Sequence, residues 1–564
     1  MKKYLILSLA IITLLTSCSD EFLDKPLLNE LNTSIYYANA DDATAAIIAC
    51  YDVLQWYGTA SVHQGGTFQG WLYRIDYSLT DLSHPGGNSG PTWADPLFYY
   101  RHNPQTPHVF RRPWVGHFTG IHRANMVLEK VPGAEMAEDL KTTILAEAKF
   151  IRAIMYFNLV RLWGDVPINE KVVTGEDLFT ERDPAEEVYE LIIADLESAI
   201  PDLPLKWSGT NLGRATRGAA MALLSKVYLT RGGYRLDSKT GEWAKQRDDQ
   251  SSENWAKALE WSQAVIDLGQ YSLWQDSDLG GPDLMAAVPS DAKNVGKIKS
   301  GYEAAFWVEN DGDLVDKESL FELQFVSWWP GRWSNSNRLQ EGTNTNDFDL
   351  PTGANGLGVV HFGYNNNHPR AKFVDSYEPG DKRKAATILQ DGDTIWLRQW
   401  DETVNEEGIY VHDSLNLGQY ALSYAPEGYC VRKWIYGYTD ERESSPLNRK
   451  IIRYADVLLI KAEALNEMGR TAEAYEPLNM VRRRAGLPDI SGLSQDELRE
   501  RIYEERKFEF AYEIDRLFDC FRSGNLEKWV LADRDVPVER FHNLLPLPQE
   551  AIDLDPNLYQ NYGY

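Results

Sequence analysis

The stretch VLLIKAEALNEMGRTAEAYEPLNMVRRR, residues 457–484, constrains this chain most. Small and apolar residues recur at helical spacing on both sides of one glycine: Ala462, Leu465, Gly469, Ala474, Leu478 and Val481. A small residue lets two neighbouring helices approach closely, and glycine makes the turn between them. The pattern recurs. Leu224, Ser225, Tyr228 and Gly232 close the segment 214–232 at matching spacing, and a partner follows after an insertion, with Ala258 and Val265 in phase. Segment 142–164 matches more loosely through Tyr156, Val160 and Gly164, with 184–200 as its partner. About four degenerate helix pairs are expected.

Single helices follow from the same periodicity. They are expected at 41–57, 114–131, 142–163, 184–200, 214–231, 253–268, 453–469, 471–485, 494–522 and briefly at 548–553. In 142–163 the apolar stripe runs through 144, 148, 151, 155, 159 and 162, and Gly164 and Pro167 end it. Trp114 and Trp163 sit in such patterns and are assigned to the core. Two regions break the periodicity. Residues 60–113 are rich in Gly, Pro, His and aromatics, and a loop region that long inside a domain is usually functional or disordered; its aromatic content argues against disorder. Residues 270–450 alternate in SLFELQFVSWW, DTIWLRQW and EGYCVRKWIYGY between turn signals, which predicts short strands in a loop-rich insertion.

Length alone, at 564 residues, suggests about two to four domains. The repeats argue instead for one composite unit: a scaffold over 34–269 with a loop at 60–113, the insertion at 270–450, and a fourth helix pair with a C-terminal segment at 451–564. The formal charge of −27 and the lack of any long Lys/Arg run exclude a nucleic-acid surface. The run RRR at 482–484 is read as a solvated helix face. Four cysteines without CxxC spacing exclude a disulfide framework. Cys50 and Cys520 lie in apolar patterns, as small buried hydrophobes.

Cys18 is different. MKKYLILSLAIITLLTS has a positive start and an apolar stretch, Leu5 to Leu15, too short to span a bilayer as a helix. LLTSCSDEFLD then places Leu15 three residues before Cys18 and Ser17 just before it. This resembles a bacterial lipobox, with a signal peptide at 1–17, an acylated Cys18 and a linker at 18–33. Each acyl CH₂ buried contributes about 0.8 kcal/mol to membrane anchoring.

With these segments in hand, the chain resembles the SusD/RagB family of outer-membrane nutrient-binding lipoproteins. The motifs are SDEFLD, LTDLSH around Asp81, WVGHFTGIHRANMVLEKV, AEAKFIRAIMYFNLVRLWGDVPI, RYADVLLIKAEALNEMG, IYEERKFEFAYEIDRLFDCFRSG and LLPLPQEAIDLDPNLYQNYGY. Leu82 departs from the family's Asp motif, where an acidic residue is common. The resemblance implies a mostly α fold, a bundle of about four tetratricopeptide-like units with a loop-rich insertion carrying short strands. It also implies a lipid anchor in the outer membrane facing outward, a SusC-like TonB-dependent transporter as partner, an oligosaccharide ligand, no catalysis and no cofactor.

The residues supply a matching chemistry. Sugars present flat C–H faces and hydroxyl edges; Trp and Tyr offer rigid π-faces, and Asp, Asn, Arg and His satisfy hydroxyls. Trp71, Tyr73, Asp81, His84, Asn88 and Trp93 form one candidate set. Trp328, Trp329, Arg332, Trp333, Asn335 and Asn337 form a second, in FVSWWPGRWSNSN, and Asp347 or Asn355 can join from the following stretch. Of the adjacent pair Trp328 and Trp329, alternation turns one inward. Enzyme signatures are missing: no HExxH, GxSxG or P-loop occurs. DGDLVD at 311–316 starts like a calcium loop, but Val315 stands where Asp or Asn is needed. His117 and His122 are five apart, off the spacing that puts both on one helix face. The expected function is glycan capture for a TonB-dependent transporter. A peptide-binding or other nutrient-binding member is the alternative, followed by a helical glycoside hydrolase, whose carboxylate pair cannot be chosen from 84 acids.

Overall fold

Helices form where the apolar stripe recurs. In chain order the first part holds α1 (Ala40–Leu54), α2 (Trp71–Leu79), β1 (Ser83–Pro85), α3 (Ala94–Phe98), α4 (Arg111–Lys130), α5 (Glu138–Trp163), α6 (Ala185–Ala199) and α7 (Arg217–Arg231). A small hairpin, β2 (Arg235–Leu236) with β3 (Trp243–Lys245), leads to α8 (Asp249–Asp267). The middle holds α9 (Gly301–Trp307), β4 (Ser319–Leu323), β5 (Asn367–Pro369), α10 (Ala371–Asp375), α11 (Lys382–Thr387), β6 (Ile388–Gln390), β7 (Thr394–Asp401), β8 (Ile409–Asn416), β9 (Tyr429–Val431), β10 (Tyr438–Thr439) and β11 (Arg449–Arg453). The last part is α12 (Tyr454–Glu467), α13 (Thr471–Arg484), α14 (Gln495–Glu509), α15 (Arg516–Ser523), α16 (Leu526–Asp533) and α17 (Gln549–Leu554). This computed structural model describes residues 37–55, 71–85, 94–106, 109–173, 175, 179–245, 249–279, 298–307, 316–324, 367–390, 393–401, 409–416, 427–433, 438–439 and 448–564.

The long helices stack as neighbours: α1 on α4, α4 on α5, α5 on α6, α6 on α7, α7 on α8, α8 on α12 and α12 on α13. The fold is thus mostly α, a tetratricopeptide-like bundle, with the short strands confined largely to the insertion. Helix α5 is its spine, buried along nearly all of Ala146–Trp163. Trp163 is fully buried and donates from Nε1 to the Pro546 carbonyl at 3.0 Å, and Trp114 packs edge-on against it. Gly164 ends the helix at φ +73°, where a Cβ would stand 2.5 Å from Ser238 Oγ. Cys50, Cys430 and Cys520 are buried, and none of them is in a disulfide.

The insertion is tied to the helices by charge. Strand β4 pairs antiparallel with β11, and between them and α13 and α14 lies a buried ion-pair network. Arg453 meets Glu318 at 2.6 Å, Glu509 at 3.0 Å and Glu513 at 2.7 Å. Arg484 joins Glu318 at 3.2 Å and also Glu509. Arg383 pairs with Asp381 at 2.8 Å and Glu505 at 2.6 Å. Burial alone would raise the Glu509 carboxyl; Arg484, Arg453 and Arg383 outweigh it and hold it at about 2. The reading of 482–484 as a solvated face is therefore corrected. Arg482 and Arg484 are buried, the former on Glu378 and Glu505, and only Arg483 reaches solvent, beside Glu476 and Asp489.

The helix expected over 494–522 is two helices. Its start holds a capping box, Ser494 with Glu497. The break at 510–515 carries Tyr512 and Ile514 at φ +65° and +64°. Left-handed backbone is costly at a branched residue. Surrounding bonds hold it: Lys433 Nζ donates to the Ala511 carbonyl at 2.8 Å, and Arg453 grips Glu513 with two nitrogens.

Candidate functional site

The two aromatic-rich regions are more than 200 residues apart in sequence, yet their bases meet twice. Gln55, the last described residue before 56–70, donates from Nε2 to the carbonyl of Gln324 at 2.8 Å. Gln324 is in turn the last described residue before 325–366. Its side chain lies over Gly213, at φ +86°, where a Cβ would stand 2.3 Å from Gln324 Cγ; glycine permits both the approach and the left-handed backbone. The second meeting is a strand pair. β1 leads into 86–93 and β5 emerges from 325–366, and they run antiparallel with His84 opposite His368. The Arg370 N–H extends the ladder to the Leu82 carbonyl at 2.9 Å.

Around this base the polar groups hold one another. Asp81 accepts from Arg516 Nε and Nη2 at 2.7 and 2.8 Å, and the Arg516 guanidinium lies 4.1 Å from the Trp529 ring centre. Burial works against the Asp81 carboxylate, but Arg516 outweighs it and lowers its pKa. Arg370 bridges Asp533 and Glu427, each at 3.1 Å. Arg534 stacks 3.8 Å over Phe98, which also meets the half-buried His84 ring at 4.9 Å. This rim offers hydrogen-bonding groups and aromatic faces. Its acids are committed to arginines.

The sequence candidates fall into three groups. Asp81 and His84 stand at the base, His84 partly exposed and Asp81 held by Arg516. Trp71 opens α2. Tyr73 is a correction: residues 72–79 of α2 are buried, and the Tyr73 ring is fully buried against Tyr77 and beneath the Arg449 guanidinium. It has no face to offer a ligand. Asn88, Trp93, Trp328, Trp329, Arg332, Trp333, Asn335, Asn337, Asp347, Asn355 and Cys18 lie outside the described residues. Of the DGDLVD stretch only Asp316 is described, buried against Lys450 at 2.8 Å. His117 is buried, bonded to the Pro113 carbonyl and to Asn158, and serves the helix packing. Sequence reasoning missed Arg370, Arg516, Arg534 and Asp533. Only Arg516 carried a signal, inside the motif YEIDRLFDCFRSG.

The profile of the SusD family matches residues 329–564, and a profile described as "Starch-binding associating with outer membrane" matches 93–229. Over these two segments the chain is similar to the SusD family. SusD-like protein P2 of Formosa agariphila is 27% identical, over 100% of this chain and 99% of its own. SusD-like protein P25 of the same organism is 24% identical over 97% of each. A solved laminarin-binding SusD-like protein superposes with TM-score 0.68 at 26% identity, covering 94% of this chain and all of its own.

Proposed function

We propose that this protein is a cell-surface glycan-binding lipoprotein. It captures oligosaccharide on the segments 56–70, 86–93 and 325–366 and passes it to a SusC-like TonB-dependent transporter. The observation that carries the reading is the end-to-end likeness to a laminarin-binding protein, at an identity shared by both sequence and fold. The joined bases of the two aromatic-polar loops support it, since one ligand can then meet both sets of side chains. Cys18 supplies the lipid tether, and the family description that names the outer membrane supports its placement there. The absence of HExxH, GxSxG and P-loop motifs agrees with a binding role.

Affinity electrophoresis in native gels containing laminarin or starch is the direct test. Retarded migration is expected with at least one glucan, and Trp333→Ala is expected to reduce it without lowering the melting temperature. Unretarded migration on every glucan, together with no heat in calorimetry, would refute the reading. Gentle solubilisation of outer membranes should co-purify a large barrel protein; a solitary species would remove the transporter from the proposal.

A further inference from the structure

A second polar recess lies away from the loop bases. It opens between the C-terminal half of α5, Tyr189 of α6, the β2–β3 hairpin and the segments holding Phe518 and Asn543. Its inner space is about 30 Å³, room for about two waters or for the two oxygens of one carboxylate. Tyr234 and Trp243 form its aromatic side, edge to face at 5.1 Å.

The groups lining it are not satisfied by the protein. Arg161 is clamped between the rings of Phe157 and Phe518, 3.9 and 3.5 Å from their centres. It donates to the Phe157 carbonyl and the Asn158 side chain. Among the described residues no carboxylate pairs with it. Arg235 spends Nη2 on Glu186 at 2.9 Å, while its buried Nη1 has no acceptor. Asn543, 6% exposed, donates from Nδ2 to the Arg540 carbonyl, and its Oδ1 has no donor. The remaining cation of the wall, Arg522, is neutralised by Glu463 and Asp519. The Arg235 guanidinium lies 5.5 Å over the Tyr189 ring, and burial raises the Tyr189 phenol. Orphaned buried donors and acceptors cost free energy, so a recess with one orphaned donor, one orphaned acceptor and an arginine without a carboxylate is shaped for an occupant that supplies the complement.

The geometry points to a binding site for the carboxylate end of a sugar acid or similar hydroxy acid. The carboxylate oxygens accept from Arg161 and from Arg235 Nη1, with the Tyr189 hydroxyl donating beside them. A hydroxyl on the next carbon donates to Asn543 Oδ1, and the carbon body rests on Trp243. A neutral sugar leaves the guanidinia unmatched, and a bare carboxylate leaves Asn543 unmatched. The ligand is either a free sugar acid or the uronate end of a chain. The inference does not rest on glucan binding.

Calorimetry at fixed ionic strength tests it with D-glucuronate, D-gluconate, digalacturonate, acetate and D-glucose. Heat of binding is expected for glucuronate or gluconate, at least tenfold weaker affinity for acetate, and none for glucose. Binding of digalacturonate as well selects the chain-end source; its failure with the free acids binding selects the free acid. Arg235→Gln should weaken binding at least tenfold and Tyr189→Phe several-fold, while both keep wild-type retardation on laminarin or starch. Arg161 is left intact because its rings are part of the core. No binding by any of the three acids, or glucose binding as well as glucuronate, overturns the proposal. So does loss of glucan retardation in Arg235→Gln, since the recess would then belong to the glucan site.

Discussion

Asp81 and Arg516, 435 positions apart, form a two-pronged ion pair at 2.7 and 2.8 Å just before β1. The side chains are 13% and 5% exposed, so the pair is largely withdrawn from water. Removing one partner strands the other charge, at a cost of about 3–5 kcal/mol. Asp81→Ala should therefore lower the urea midpoint strongly. Its carboxyl is held below the usual range, so its stabilisation is present above the unfolded pKa near 4 and is lost as pH falls through the lower folded value. The variant's penalty should shrink toward pH 3. If Asp81→Ala instead keeps full stability and loses only ligand affinity, the acid belongs to the ligand and not to Arg516.

Glu509 is the most heavily shared acid, touching Arg383, Arg453 and Arg484 with no exposed surface. Glu509→Gln keeps the shape and leaves three buried guanidinia short of one charge. A loss of about 3–5 kcal/mol is expected in urea unfolding with an unchanged slope. Glu504→Gln, on the same helix with its pair to Arg501 in solvent, should cost less than about 1 kcal/mol.

These two cases show what the sequence carried and what it did not. The stripe at 144, 148, 151, 155, 159 and 162 is a property of residue types alone, and α5 forms there. Burial of Arg482 and Arg484 depends on Glu318, Glu505 and Glu509 arriving from distant positions. A local reading of RRR therefore finds only a charged face. Helix α2 was hidden because its nine residues sit amid Gly, Pro and aromatics that break periodicity on both sides. The turn at 510–515 was hidden because Tyr512 and Ile514 take left-handed backbone without a glycine to signal it. At the candidate site, Asp81 and His84 were legible as loop polars. The pairing of β1 with β5 is a long-range register that no short window contains.

His102 and His542 meet edge to face at 5.5 Å beside Tyr564, whose hydroxyl meets His102 Nε2 at 3.0 Å. Burial pushes His102 down to about 3 and His542 down to about 4. In the unfolded chain both titrate near 6.5. Below that pH the unfolded state binds more protons, so stability falls as pH drops from about 6.5 through 4. Thermal melts at pH 7 and pH 4.5 should show that loss, and His542→Gln should reduce it.

Asp76 works in the opposite direction. Burial, and then Asp515 and Asp519 nearby, push it up to about 8, while it accepts from the Leu517 N–H at 2.7 Å. The folded state binds the extra proton, so its contribution is fully present below the unfolded pKa near 4 and is lost as pH rises through 8. Wild-type stability should decline between pH 6.5 and pH 8, above the histidine range, and level off beyond it. Asp76→Asn keeps an acceptor for Leu517 and removes the titration, so its decline should be shallower. Equal slopes in the two proteins would show that Asp76 is ionised at neutral pH.

The joined loop bases make the last prediction a coupling. Residues 86–93 leave β1 directly opposite the point where 325–366 enters β5, through His84 and His368. The segments that carry Trp93 and Trp333, 240 positions apart, both join the chain at this strand pair. If both meet the same glucan chain, each should weaken binding when changed to Ala, and the double variant should lose less than the sum. A coupling of about 0.5–3 kcal/mol is the usual range for residues sharing one partner. Calorimetry of the four proteins against laminari-oligosaccharides measures it. Strict additivity would place the two indoles on separate ligands and would restrict the binding surface to one of the loops.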